Sequence, residues 1–531
     1  MHLSPSHHYS SRRSAVLADN MVATSQPLAA EAGLSMIRRG GNAADAAIAT
    51  AITLTLVEPT GNGVGSDAFA ILWDGTALHG LNASGRAPAA WTPDRFGGCD
   101  GMPMLGWDSV TVPGAVSGWV ALSERFGKLP FETLFEPAIA LAQKGFPVSP
   151  KIAQAWARSV DHLKDQPGWA DVFLPGGKPP SAGTRFRNLG LEKTLRRIAD
   201  TNGKAFYEGE LAEAIVGHAE AHGGAMSMDD LAAHRADWCG TISRGFDGAT
   251  LHEIPPNGQG IAALMALGIL DHTPIRDFSA DDPRAYHWQI EAMKLAMRDV
   301  EAFVADEIHM TGATAEDMLA DAYLAERARL IDPERAQDFG AGAPRHGSTV
   351  YLTAADASGM MVSFIQSNYA GFGSGITVPG TGIHLQNRGW GFSLDPSSPN
   401  HVGPGKRPFH TIIPGFLMGE TAPIMSFGVM GGPMQPQGHV QMVLRTQLWG
   451  QDVQMAADAP RWRVTNGLGV ACETTLPTDT LEALASMGHA LNLEEPDMAF
   501  GFGGAQLIHR LPDGGYAGGS DPRKDGLAVG F

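Results

Sequence analysis

The chain has 531 residues, 44% hydrophobic and 18% charged, with 66 glycines and 35 prolines; this balance excludes disorder and fits one large or two intertwined globular domains rich in loops. Its net charge of −18 repels phosphate backbones and excludes nucleic acid as an expected partner. Cys99, Cys239 and Cys472 lie far apart with no CxxC pair, which argues against a disulfide framework or a zinc site and predicts three small buried hydrophobes in a reduced compartment.

In chain order, the first twenty residues contain Arg12-Arg13 but no apolar run long enough for a signal peptide, so the cytoplasm is the expected location. Pro27 suits a first helical turn, and the apolar spacing predicts a helix to about Arg39, ended by Gly40-Gly41. Asn42 caps a second helix over 43–56. That segment is almost wholly small or apolar yet carries Asp45 and three threonines, which predicts a helix buried in protein and no membrane partner. Strands are predicted at 68–73 and 77–81 about the turn Asp74-Gly75. From Gly114 to Arg345 the pattern reads as mostly helical scaffold, with clear helices at 116–126, 191–199 and 285–304. After Ala343 the pattern turns strand-like, at 349–355, 360–366, 423–429 and 506–511, with helices at 439–449 and 480–487. Early helices and late strand pairs predict an α+β fold in which sheet is layered between helices.

The run Arg345-His346-Gly347-Ser348-Thr349-Val350-Tyr351 puts a hydroxyl residue at a strand start behind small, flexible residues. A threonine hydroxyl is a poor nucleophile unless a base lies beside it. Cleavage between Ser348 and Thr349 would create that base, because an α-amino group titrates near ~8 and reaches its own side chain.

The wider context is more specific. GSTVYLTAADASGMMVSFIQSNYAGFGSGITVPGTG at 347–382 is followed by KRPFHTIIP at 406–414 and GVMGGPMQPQGH at 428–439. The front contributes GGNAADAAIATAITLTLVEPTGNGVGSDAF at 40–69, and the end DAPRW at 458–462 and GGSDPRKDG at 518–526. In these motifs the sequence resembles the γ-glutamyltransferase (glutathione hydrolase) family and its cephalosporin-acylase-like relatives, over nearly the whole chain and in order. The resemblance implies an N-terminal-nucleophile hydrolase with a four-layer αββα sandwich, made as an inactive precursor. Self-cleavage would yield a large subunit, 1–348, and a small one, 349–531. Thr349 matches the nucleophile, Ser367 a threonine whose hydroxyl contacts it, and Gly431 and Gly432 the glycine pair of the oxyanion hole. Glycines suit that role because donors there must approach closely. No metal or other cofactor is implied.

The substrate positions depart from the family. The arginine that grips a γ-glutamyl α-carboxylate falls at Ser84, with Arg86 two places later, and the paired serines that assist it are His410 and Thr411. The side chains that hold the α-amino group fall at Tyr369, Arg388 and Gly391. A cation at Arg388 would repel an ammonium. A pocket with Arg86, Arg388 and His410 is therefore expected to suit an anionic or neutral acyl group. The short loop between Phe392 and Lys406 predicts that the lid of some members is missing. The expected partner is a small-molecule amide: an acylamide, a dicarboxylic monoamide or a β-lactam side chain. Two alternatives stand beside this, a true γ-glutamyl hydrolase or transpeptidase with a rebuilt site and an unprocessed binding scaffold. Residue patterns leave a homo-oligomer open.

Overall fold

The computed structural model describes residue 3 and residues 13–340, 347–496 and 501–531; Arg12, Arg345 and His346 lie outside them. Two seven-stranded sheets dominate it. The first runs in the order Leu527–Gly530, Met21–Thr24, Ser348–Ala355, Met361–Tyr369, Asp67–Trp73, Leu78–Ala83, Asp237–Trp238. The second runs Val16–Ala18, Tyr516–Ser520, Gly504–Arg510, Pro423–Met430, Gly415–Met418, Ala249–Glu253, Ile242–Phe246. Neighbours in both are antiparallel.

Three apolar layers hold the sheets and helices together. Tyr351, Ile365, Phe416, Met430 and Ile508 meet between the two sheets. The helix Ala43–Val57, buried at every position, covers the outer face of the first sheet through Ile48, Ile52 and Leu56. Gly260–Asp271 and Met434–Val443 cover the outer face of the second. The result is the αββα sandwich that the resemblance implied. Asn42 begins the buried helix as a reciprocal cap, accepting from the Asp45 N–H at 3.1 Å while its own N–H reaches the Asp45 carboxylate at 3.0 Å. Gly33 lets the preceding helix, Pro27–Arg38, press against it, since a methyl there would come within 2.1 Å of Thr50 Oγ1.

Two expectations need correction, and the mostly helical middle holds an element not expected there. The middle third is not only helical: Ile242–Phe246 and Ala249–Glu253 form a hairpin that extends the second sheet. Its turn is Asp247-Gly248, both at positive φ (50° and 79°), the pair that a tight two-residue hairpin favours. The helix expected from His439 begins five residues earlier, at Met434, with Pro433 between it and the glycine pair, and ends in a π-helical turn at Leu444–Leu448. Cys99 and Cys239 are exposed, and of the three cysteines only Cys472 is buried.

Candidate active site

Thr349 occupies the second position of the strand Ser348–Ala355, between two neighbours of the first sheet. Side chains alternate along a strand, so Val350, Leu352 and Ala354 join the helix side while Tyr351 faces the other sheet. Thr349 shares the Tyr351 face and opens into the space between the sheets. The pairing with Met361–Tyr369 is irregular here: Ser348 opposes Tyr369 and Val350 opposes Gln366, so Ser367 and Asn368 together face Thr349. This is a β-bulge, a device that re-aims a side chain, and Tyr369 just beyond it takes φ 78°.

The bulge brings the two hydroxyls together, Thr349 Oγ1 lying 3.1 Å from Ser367 Oγ. Ser367 donates to the carbonyl oxygen of Ser348 at 2.8 Å, the carbonyl of the peptide bond before Thr349. With its proton committed there, Ser367 Oγ is left to accept from Thr349 and from the Tyr369 N–H at 2.8 Å. Gln435, in the first turn of Met434–Val443, points its amide at Thr349 Oγ1 from 3.5 Å and accepts the Ile413 N–H at 2.9 Å. Gly431 and Gly432 take φ of 121° and 61°. Gly347, just before the strand, lies against Gly432, because a methyl on Gly347 would come within 3.0 Å of Gly432 Cα. Thr349 and Ser367 are fully buried in this uncleaved chain.

Behind the hydroxyl pair sits a buried cation. Arg388 is wholly enclosed, stacked on the Tyr369 ring at 4.3 Å, and donates to Thr411 Oγ1 at 2.8 Å and Ser367 Oγ at 3.3 Å. Burial lowers its pKa to about 10, which leaves it charged at neutral pH. Asp67 has its carboxyl pushed up to about 7 by burial, against the opposing pull of Arg388 and of the Gly85 and Gly114 N–H groups. Those two amides bond one Asp67 oxygen at 3.1 and 3.2 Å, and His410 Nε2 meets the other at 3.1 Å. Burial, with Arg388 and Arg407 nearby, holds His410 well below the usual imidazole range, so the ring is neutral. Asn368 Oδ1 accepts from Ser66 Oγ at 2.8 Å.

A cavity of about 500 Å³ opens beside this arrangement, lined by Gln259, Tyr369, Thr411 and Pro433 and also by Arg298, Glu301 and Asp395. Residues of the short 392–406 loop, among them Ser393 and Asn400, form part of its wall. Of the residues named from sequence for substrate, Tyr369 and Thr411 line it, while Arg388 and His410 lie buried behind it. Arg86 is not brought to the group; it is half exposed and pairs with Asp306 at 3.2 Å. Sequence reasoning missed Gln435 and Gln259, whose amide binds the carbonyls of Thr411 and Gly432 at 2.6 and 2.9 Å. A polar residue just after a glycine pair that opens a helix was the available signal for Gln435. The motifs at 458–462 and 518–526 serve the frame instead: Arg461, Arg523, Asp521 and Glu473 form a buried ion network at 2.5–3.2 Å. Three metal-capable groups, His287, Glu291 and His489, also converge, but the Lys294 ammonium, 2.7 Å from Glu291, already supplies the cation there.

The backbone superposes on a cephalosporin acylase from Bacillus halodurans with a TM-score of 0.94 and 47% identity, covering 99% of this chain and 98% of that one. The glutathione hydrolase-like YwrD proenzyme of Bacillus subtilis is 35% identical over 98% of this chain and 100% of its own length. An oxamate amidohydrolase proenzyme of Klebsiella pneumoniae is also 35% identical, over 95% of this chain and 97% of its own. The γ-glutamyltranspeptidase family profile matches residues 29–531. A match of that extent, on an αββα frame shared almost from end to end with a solved acylase, means that the chain belongs to the γ-glutamyltranspeptidase family.

Proposed function

We propose that the chain is a proenzyme that cuts itself between Ser348 and Thr349 and then hydrolyses amides through the freed Thr349. The observation that carries this is the pair of bonds at Ser367, one to the Thr349 hydroxyl and one to the Ser348 carbonyl. Thr349 Oγ1 adds to the Ser348 carbonyl carbon and passes its proton to Ser367, whose own proton stabilises the developing oxyanion. Collapse breaks the C–N bond, the proton goes to the Thr349 nitrogen, and an ester joins Ser348 to Thr349 Oγ1. Water hydrolyses the ester, leaving a Ser348 carboxylate and a free α-amine. That amine then serves as base while Thr349 attacks the substrate carbonyl, with the Gly431–Gly432 backbone as oxyanion donor. A silent scaffold would have no use for this arrangement.

The substrate reading is an acyl group without a γ-glutamyl α-ammonium, such as an acylamide, a β-lactam side chain or a dicarboxylic monoamide. Oxamate, named for one relative, is a dicarboxylic monoamide. Near the nucleophile, Asp67 is spent on Gly85, Gly114 and His410, Asn368 Oδ1 accepts from Ser66, and Arg388 contributes a buried cation. A second reading, a γ-glutamyl hydrolase with a rebuilt site, is favoured by Asp395 and Glu301, carboxylates that line the same cavity. Denaturing gels should show fragments of roughly 37 and 19 kDa by share of chain length, the smaller beginning TVYLTAAD. An active wild-type chain that stays whole contradicts the proposal. Glutaryl-p-nitroanilide should exceed γ-glutamyl-p-nitroanilide in kcat/KM by at least tenfold, since an unpartnered buried charge costs on the order of 2–5 kcal/mol. The reverse order would establish the second reading.

A further inference from the structure

Arg388 is placed oddly for a substrate clamp. It has no exposed surface, it lies behind the cavity wall, and both terminal nitrogens are bonded inward, to Thr411 and Ser367. Its Nε has no acceptor among the described residues. The guanidinium is thus held in one pose, two hydrogen bonds from the Thr349 hydroxyl, with its charge incompletely answered.

We propose that Arg388 is a positioning and charge-tuning residue for Thr349: it fixes Ser367 and disfavours the protonated form of the amino group that cleavage leaves on Thr349. This rests on the reading of Thr349 as nucleophile. The general-base form of that amino group is the neutral one, and a nearby cation opposes its protonation. Other groups facing the pair do not cancel the effect at mildly acid pH. Asp67, at the start of the strand beyond Met361–Tyr369 and so two strands from Thr349, titrates near 7 and is largely neutral below that. His410 is neutral and Arg407 adds positive field. From the helix Met434–Val443, Thr349 meets the uncharged Gln435. From the 58–62 segment, the Thr60 carbonyl is bonded by Ser348 Oγ, while Glu58 is turned to Ser25. Steps of 3.3 and 3.1 Å join Arg388 through Ser367 to the Thr349 hydroxyl, and a unit charge about 6–7 Å away at an effective dielectric of about 20–40 shifts an amine by about 1–2 pH units.

The test is kcat/KM against pH from 5.5 to 9 on processed enzyme, with an uncharged acyl p-nitroanilide. Arg388→Gln should move the midpoint of the acidic limb up by about 1–2 units, and Arg388→Lys should restore most of the shift. Thr411→Val, which removes a bond but no charge, should lower kcat and leave the midpoint in place. Should neither Arg388 variant fold, Asp67→Asn supplies the opposite sign: with the counter-charge gone, the limb should fall below its wild-type position, and a limb that stays in place or rises overturns the proposal. An unmoved midpoint in processed Arg388→Gln, or an equal shift in the Gln and Lys variants, overturns the proposal. A shift in Thr411→Val as large as in Arg388→Gln does the same, since it would make the effect structural. Failure of the underlying reading looks different: an intact chain, or a Thr349→Ala variant that keeps its activity.

Discussion

Replacing Ser367 by alanine removes one oxygen that serves four partners. Ser367 Oγ donates to the Ser348 carbonyl at 2.8 Å, accepts from the Tyr369 N–H at 2.8 Å and from Arg388 at 3.3 Å, and meets Thr349 Oγ1 at 3.1 Å. In the proposed self-cleavage the Ser348 carbonyl oxygen becomes the oxyanion, so the variant loses a preorganised donor where charge develops. Such donors contribute about 2.7–4 kcal/mol, which slows the reaction by about 10²- to 10³-fold. Thr349 keeps only the long 3.5 Å contact from Gln435 to orient its hydroxyl, so nothing nearby replaces the lost group. Stability falls as well, because the buried N–H groups of Tyr369 and Arg388 both lose this acceptor, at about 1–3 kcal/mol each, and a melting curve separates that from the chemistry. The assay is a time course of the two fragments on denaturing gels, started from freshly purified precursor and fitted to a first-order rate. Ser367→Thr keeps the hydroxyl and should cleave. An alanine variant that is folded and cleaves within threefold of the wild-type rate refutes the assignment of Ser367 to this step.

Two further outcomes are expected. After cleavage Ser348–Ala355 still lies between Met21–Thr24 of the large fragment and Met361–Tyr369 of its own, so the fragments should co-elute in gel filtration and part only in denaturant; free small fragment under native conditions contradicts this. The Asp67 carboxyl titrates near 7 when folded and near 3.9 when unfolded, so its contribution to stability is fully present below about pH 4 and is lost as pH rises through about 7. Urea midpoints at pH 5 and pH 8 should therefore differ less in Asp67→Asn than in wild type, and an unchanged difference would mean that Asp67 is ionised throughout.

Local physics was readable wherever periodicity and punctuation agreed. Pro27, Gly40-Gly41 and Asn42 marked the helical pair to within a residue or two, because capping and chain reversal are decided by neighbours in sequence. The hairpin at 242–253 was missed although Asp247-Gly248 announced it, since its short strands sit among long helices and its sheet partner, Gly415–Met418, is more than 160 residues away. At the site, Thr349, Ser367 and the glycine pair came from the resemblance. The bulge that joins the first two did not, because it depends on strand register and no single residue encodes that. Nor did the burial of Arg388: a sequence shows that a cation is present, not which side of a tyrosine ring it occupies. Arg86, by contrast, was drawn toward the site by its proximity to Ser84 in sequence, whereas Asp306 holds it elsewhere.

The threading of the first sheet would make the proposed cut a record of assembly. Groups around the Ser348–Thr349 bond come from both sides of it: Thr60 precedes it by nearly three hundred residues, while Ser367, Arg388 and Gln435 follow it. None can reach its post until strands from the two ends of the chain have interleaved, for Met21–Thr24 must already lie between Leu527–Gly530 and Ser348–Ala355. A chain halted with only one half ordered has every residue the reaction needs and no geometry in which to use them. The proposed cleavage would therefore report completed folding, and a preparation's uncut fraction would measure the chains that have not yet passed, or have failed, that inspection.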